Sequence, residues 1–370
     1  MISEEALEGI VDEVRRKFSQ RPKVAIAGFG KAGKSSLFNA IYGQDVAAVS
    51  MRTDETVEAQ TRERFGIDLT DTPGFGTGRF SLEEVAKSGA FDAQHVVIHV
   101  LNGMSAISAE DERLHRLLEA SVTRRITVVN KVDLLDPAEQ DEFAASARDK
   151  LGVARADLHF VSARKGDGIP ELIERIAAVL PDAMRDAFIA QQKGDMELKD
   201  RRIRTLIYSK AAVAAGVAAI PLPFADMALL APLQVSMVAT IGHFLGVEVT
   251  RARAVELIAT LGAGFGLRQA ARQLLKLVPG YGSAISSAVA FSGTVALGET
   301  ARVWFRSRME LPSDELRETF RRTVEAVRKE ADRRIGSAPV TRIEELRRQL
   351  EAGEISQEEF LRAVATLGDG

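Results

Sequence analysis

Eight residues near the start of the chain, Gly28-Phe29-Gly30-Lys31-Ala32-Gly33-Lys34-Ser35, restrict the fold more than any other feature. They read G-x-x-x-x-G-K-S, with the apolar run Val24–Ala27 before them and Ser36 to Tyr42 after them in helical spacing. A strand that turns through glycines into a helix leaves several backbone N–H groups pointing into one cradle, and the positive end of the helix dipole faces the same place. Such a cradle takes a phosphate chain. Lys34 adds a point charge for the terminal phosphates, and the Ser35 hydroxyl is an oxygen ligand that Mg²⁺ accepts. A glycine-rich turn with an incidental Lys-Ser pair is the competing reading, and it does not account for a strand and a helix on the correct sides.

The next stretch has the matching rhythm. Short apolar runs at Phe65-Leu69, Val96-Leu101, Ile126-Val129 and Leu158-Val161 alternate with helical patterns near Leu82-Ser88, Ala109-Ala120, Ala138-Leu151 and Ile169-Val179. That alternation predicts an α/β, doubly wound, mainly parallel sheet. Three further groups stand at the ends of those runs. Asp71-Thr-Pro-Gly74 offers a carboxylate for Mg²⁺ and a backbone N–H that can approach a terminal phosphate. In Asn130-Lys131-Val132-Asp133, a fixed carboxylate at Asp133 can accept two N–H donors from guanine, which adenine cannot match; a helix cap by Asp133 is the alternative. Ser162-Ala163-Arg164 can set the Ala163 N–H against the guanine carbonyl oxygen.

With these four elements in this order, residues 21 to 180 resemble the translation-factor-like GTPases of the Era-like group. The resemblance implies a P-loop GTPase that binds GTP or GDP with Mg²⁺. It places the nucleotide on Gly28 to Ser36, Asn130, Lys131, Asp133 and Ser162 to Arg164, and the metal on Ser35, Asp71 and a switch threonine. Thr53, Thr56 and Thr61 compete for the last role. Thr56 is favoured because its distance to Asp71 fits a switch strand folding back antiparallel beside the next one. Catalysis is expected from Lys34, Thr56 and Gly74. Phe75 stands where many GTPases hold a water-orienting Gln, so slow intrinsic hydrolysis is expected, with help from oligomerisation or another part of the chain. Lys31 occupies the position where potassium-activated members carry Asn. An ammonium cannot ligate a cation, and Lys31 is expected either to add charge at the γ-phosphate when two such domains meet or to be a solvated loop lysine.

Composition matters beyond this region. Between Leu206 and Thr300 only ten of 95 residues are charged, whereas the stretch from Ala301 to Gly370 holds 14 basic and 14 acidic residues. The expected organisation is an amphipathic helix at 1–20, the GTPase domain at 21–181, a connector at 182–205, an all-α hydrophobic domain at 206–310, a charged helix at 311–340 and a helical hairpin at 341–370. The charge-poor block is interrupted by Pro221, Pro223, Asp226 and Pro279 and is rich in small residues. It reads either as a soluble, self-associating bundle or as a module contacting a membrane surface, with Trp304, Phe305, Arg306 and Arg308 as an interfacial anchor. It resembles the YcjF-like helical domain attached to some Era-like GTPases, and is similar to helical parts of immunity-related and dynamin-like GTPases. Residues 343–367, with capping boxes at Thr341/Glu344 and Ser356/Glu359, resemble the short C-terminal domain SHOCT, which implies an interaction or oligomerisation element.

The net charge of -3 supplies no basic field for DNA or RNA, so a ribosome-assembly role is the weaker alternative to a self-associating switch or a dynamin-like protein. Zero cysteines exclude disulfides and thiolate chemistry. Glu4, Glu5 and Glu8 stand where a signal peptide would need positive charge, so a cytoplasmic location is expected, at the inner face of the cell membrane if the helical block is peripheral.

Overall fold

The computed structural model describes residues 4–43, 60–64, 67–71, 91, 94–121, 124–219, 226–264, 282–334, 345–346, 348–349 and 352–367. By internal packing the chain divides into two compact units, Lys17–Lys199 and Met1–Arg16 together with Asp200–Gly370.

The first unit is built on β1 (Val24–Ala27), α2 (Lys34–Tyr42), β2 (Gln60–Arg64), β3 (Ile67–Asp71), β4 (Val96–Asn102), α3 (Ala109–Ser121), β5 (Arg125–Asn130), α4 (Pro137–Leu151), β6 (Leu158–Val161), α5 (Ile169–Val179) and α6 (Asp182–Gln191); α1 (Glu4–Phe18) precedes them. The strands form one six-stranded sheet in the order β2-β3-β1-β4-β5-β6. Every neighbouring pair is parallel except β2 with β3. Residues Val96 to Leu101 of β4 are all buried, so both faces of the sheet centre are covered, as a continuous apolar run requires. On one face Val97 packs with Leu114 and Leu118 of α3, while Leu101 packs with Phe143 and Ala147 of α4.

One expectation is adjusted here. The strand expected at Phe65-Leu69 runs instead over Ile67–Asp71, because its pairing partners set its limits: Ile26 of β1 is level with Asp71, and Gln60–Arg64 forms the antiparallel ladder on the other side. Gln-Thr-Arg-Glu-Arg carries no apolar run, yet it forms β2 as the edge of the sheet. The helix expected near Leu82-Ser88 lies outside the described residues.

The second unit is helical among the described residues, with α7 (Met196–Ala219), α8 (Asp226–Phe244), α9 (Arg251–Gly264), α10 (Gly282–Arg306), α11 (Ser313–Arg334) and α12 (Gln357–Thr366). Close approach is obtained with small residues: a Cβ on Gly298 of α10 would sit 2.6 Å from Cγ1 of Ile207 on α7. The apolar stripe of α11 is buried at Leu316, Phe320 and Val327. The first residues of α1 attach to this unit through Glu4 and Glu8, both ion-paired to Arg251, and through Arg15 to Glu248 at 3.0 Å. Among the described residues no helix is long and apolar enough to cross a membrane. The box at Ser356 is formed, with the Ser356 N–H donating to Glu359 Oε2 at 2.7 Å and the Glu359 N–H to Ser356 Oγ at 3.2 Å. The box at Thr341 lies outside the described residues.

Candidate functional site

The buried strand β1 delivers the chain to the glycine loop, and α2 starts immediately after it. Gly33 adopts φ 89°, the left-handed region that suits glycine, and a Cβ there would collide with the side-chain amide of Asn130. Lys31 holds φ 67° and is exposed, a strained conformation for a residue with a side chain. The loop is closed by Ala32 N–H donating to the Phe29 carbonyl at 3.2 Å. Lys34 Nζ reaches back to the same Phe29 carbonyl at 3.4 Å, and Ser35 stands in the first turn of α2. The first-turn N–H groups and the Lys34 ammonium therefore share the end of the helix that faces the loop.

Three loops meet at one side chain. Asn130, at the end of β5 and 2% exposed, donates from Nδ2 to the Ala32 carbonyl at 2.8 Å. Its Oδ1 accepts from the Lys131 N–H at 2.8 Å and from the Ala163 N–H at 3.0 Å. The loops after β1, β5 and β6 are thereby held together by one buried amide with its polar atoms satisfied. The Ala163 N–H, the group expected against the guanine carbonyl oxygen, is the one that donates to Asn130 Oδ1. The Ser162 hydroxyl is also taken, accepting from the Lys165 N–H at 3.1 Å, whereas Arg164 is exposed next along the loop.

Asp133 lies half-buried in the short 3₁₀ turn Val132–Leu134, which follows Lys131 at φ 72°. It is not the cap of the following helix. That role belongs to Asp136, whose Oδ1 accepts from the Glu139 N–H at 2.9 Å while Glu139 Oε2 accepts from the Asp136 N–H at 2.8 Å. With the cap supplied three residues later, Asp133 is left for another partner.

Asp71 ends β3 beside Ile26, two residues before Gly28, so the backbone brings it to the same sheet edge as the phosphate loop. Thr61 lies in β2 opposite Thr70. Thr53, Thr56, Gly74 and Phe75 lie outside the described residues. Asn130 as the tie between loops, and Ala32 as its acceptor, were not read from the sequence as such; nothing local marks a side chain whose partners are 98 and 33 residues away.

Residues 23–131 match the family model described as 50S ribosome-binding GTPase, and residues 189–329 match a domain of unknown function, DUF697. GTPase Era of Erythrobacter litoralis (strain HTCC2594) is 32% identical over 180 residues, which cover 45% of this chain and 58% of Era. GTPase Der of Kosmotoga olearia (strain ATCC BAA-1733 / DSM 21960 / TBF 19.5.1) is 29% identical over 213 residues, 54% of this chain and 45% of Der. The chain thus spans about half the length of the curated relatives it matches. Among solved structures, a probable GTP-binding protein engB superposes with a TM-score of 0.37 at 23% identity, covering 42% of this chain and 97% of that one. LeoA, a bacterial dynamin GTPase from ETEC, superposes with a TM-score of 0.34 at 12% identity, covering 98% and 91%. Sheet order, phosphate loop and family match together define the first unit as a P-loop GTPase fold, followed by a mainly helical region.

Proposed function

We propose that this chain binds guanine nucleotide with Mg²⁺ and hydrolyses GTP to GDP and phosphate, slowly on its own, as a self-associating switch. The observation that carries the reading is the Asn130 amide, which locks the phosphate loop to the loop bearing Asp133 and so couples a polyphosphate cradle to a base-reading carboxylate. The match of residues 23–131 to a GTPase family supports it. The role of Era or Der as whole proteins is not carried over, because the matched portion of each ends well short of its full length.

Hard oxygen donors suit Mg²⁺, and Ser35 at the start of α2 and Asp71 at the neighbouring strand end are of that kind; Thr56 is the proposed switch ligand. Bound there, the ion would neutralise charge on the β- and γ-phosphates. In hydrolysis the water oxygen bonds to the γ-phosphorus, the bond from that phosphorus to the β–γ bridging oxygen breaks, and GDP leaves with the electron pair. Lys34, the loop N–H groups and the Gly74 N–H stabilise the charge that spreads over the γ-phosphoryl oxygens. Lys31, exposed on the same loop, adds charge when two such domains meet.

The test uses the full chain. Expected results are Mg²⁺-dependent binding of GTP and GDP, at least about 100-fold tighter than ATP, as a lost buried hydrogen-bond set implies. Phosphate release per chain should rise with protein concentration, and size measurement should show larger species with a GTP analogue than with GDP. Equal affinity for ATP would refute the base-reading loop. Concentration-independent turnover with one size in both nucleotide states would refute self-association. Flotation with vesicles distinguishes the membrane-associated, dynamin-like alternative.

A further inference from the structure

The C-terminal end of α2 is held by a segment from far along the chain. α2 has nine residues, with Lys34 and Ser35 in its first turn, and the carbonyls of its last turn have no partner within the helix. The Asn39 carbonyl accepts from the Gly43 N–H at 2.8 Å. The Ile41 carbonyl accepts from two N–H groups of the loop between α6 and α7, Lys193 at 2.8 Å and Gly194 at 3.1 Å. Ile41 is fully buried, so its carbonyl depends on donors that the protein itself supplies. The fit is close: a Cβ on Gly194 would stand 2.5 Å from the Ala40 carbonyl oxygen and 2.7 Å from Cδ1 of Ile173 on α5. Tyr42, the last residue of α2, meets Phe188 of α6 edge-on, with ring centroids 6.3 Å apart.

Hydrogen bonds within the loop fix its shape. Gln192, fully buried, donates from Nε2 to the Asp195 carbonyl and accepts on Oε1 from the Asp195 N–H at 2.8 Å. Its own N–H donates to the Phe188 carbonyl at 2.9 Å at the end of α6, and Asp195 Oδ1 accepts from the Leu198 N–H at 2.8 Å at the start of α7. Lys199 Nζ donates across the loop to the Ala190 carbonyl at 2.8 Å. All of these residues belong to the first unit, although the loop lies outside the GTPase match at 23–131 and inside the DUF697 match at 189–329.

A short helix fixed at its far end has little freedom at the near one. Nine residues span about 14 Å, and a helix of that length is marginal by itself. Phosphates bring acceptors to the first-turn N–H groups of α2, and the loop brings donors to its last-turn carbonyls. Both act on one rigid body, so each favours the placement that the other needs.

We propose that Gln192–Asp195 is a positioning segment of the nucleotide site, which seats α2 so that Lys34, Ser35 and the first-turn N–H groups meet the phosphates; this role rests on the guanine-nucleotide reading above. Gly194, by its close approach to Ala40, and Gln192, by holding the loop in shape, are its positioning residues.

The test compares two variants of the full chain with Mg²⁺ and GDP as the probe. Gly194→Ala forces the loop and the end of α2 apart, and the nearest neighbours of the added carbon are atoms of Ala40, Ile173 and Ile169, none of them placed at the nucleotide. Leu151→Ala is the control, a cavity in the α4 core where Leu151 packs with Leu158 at the start of β6. At a temperature where both variants are folded, Gly194→Ala should weaken GDP binding by about 10-fold or more, the worth of one hydrogen bond, while Leu151→Ala binds as the parent does. Parent-like affinity in Gly194→Ala, or equal losses in both variants, would overturn the positioning role and leave nucleotide binding standing. A parent chain that binds no GDP would overturn both. If Gly194→Ala does not fold, hydrogen exchange of the parent chain decides: GDP should slow the Lys193 and Gly194 amides by about 10-fold more than the Gly152 amide at the end of α4, beyond the general protection that any bound ligand confers. Slowing no greater than that of Gly152 would overturn the proposal.

Discussion

Asn130 Nδ2 donates to the Ala32 carbonyl oxygen at 2.8 Å, although 98 residues separate them in sequence. The bond lies at the end of the sheet where the loops after β1, β5 and β6 converge. Asn130→Ala would strand the Ala32 carbonyl and the Lys131 and Ala163 N–H groups. A buried group left without its partner costs about 1–3 kcal/mol, so unfolding stability should fall by roughly that amount. GDP affinity should fall by about 10-fold or more with it, since 1.4 kcal/mol is a factor of ten. Calorimetric titration and denaturant unfolding measure the two effects, and unchanged affinity would detach this bond from nucleotide binding.

Asp133→Asn replaces an acceptor by an amide that presents a donor where guanine also donates. GTP binding should weaken by about 10- to 100-fold, the worth of hydrogen bonds to a charged group, and xanthosine triphosphate should bind better. Competition binding with the two nucleotides reads the switch directly. Asp136 keeps its cap in this variant, so α4 should retain its stability.

For Lys31, the prediction separates two roles. If the exposed ammonium acts across a pair of domains, Lys31→Ala lowers phosphate release at high protein concentration by about 10-fold or more and leaves the dilute rate unchanged. Undiminished turnover at every concentration would make it a solvated loop lysine.

The buried pair His99 and His115, with Nδ1 atoms 3.4 Å apart, predicts an acid-sensitive fold. Burial, and then the neighbouring His115, lower the His99 pKa from 6.5 to about 3. His115 is lowered too, by burial first and then by Arg125, against an opposing contribution from Glu119. Because the unfolded chain binds the proton more readily, this stability is complete above the unfolded value and is lost as pH falls from about 6.5 toward 3. His99 Nε2 has no hydrogen-bond partner among the described residues, and His99→Leu removes only the contact of its Nδ1 with His115 Nδ1. Urea unfolding of His99→Leu should show a flatter pH dependence in that window; an unchanged slope would place the acid sensitivity elsewhere.

Two glycines of α10 should respond with opposite signs. A Cβ at Gly293 meets nothing within 4 Å, so Gly293→Ala should stabilise by about 0.5–1 kcal/mol through helix propensity. At Gly298 the same Cβ would stand 2.6 to 3.1 Å from three carbons of Ile207, which is fully buried and has little room to shift. Overpacking costs about 1–3 kcal/mol and outweighs the propensity gain, so Gly298→Ala should destabilise. Denaturant midpoints of the two variants decide it.

Elements with strong local patterns were legible from sequence. Val24–Ala27 and Leu158–Val161 have the limits expected, as does Ile169–Val179, because continuous apolar runs and a helical stripe follow directly from which faces are buried. Gln60–Arg64 was legible only as a strand folding back toward Asp71. Its limits depend on ladder bonds to Ile67–Asp71, and an edge strand needs no apolar run of its own. Likewise Ala163 was expected at the base, and the structure places its N–H on Asn130, a partner that no spacing rule reveals.

Sequence alone determined the glycine loop that runs into Lys34 and Ser35, the carboxylate of Asp133 at a strand end, and the contrast between a charge-poor middle and a charge-rich tail. Each is a local property of residue type and spacing. Only the tertiary structure decided that Asn130 binds three loops into one site, because parallel strands bring their ends to a common edge regardless of separation along the chain. It alone also decided where the terminal hairpin lies: an amphipathic face states that something must cover it, and the partner, here Val213, Val217 and Leu233, is chosen by packing.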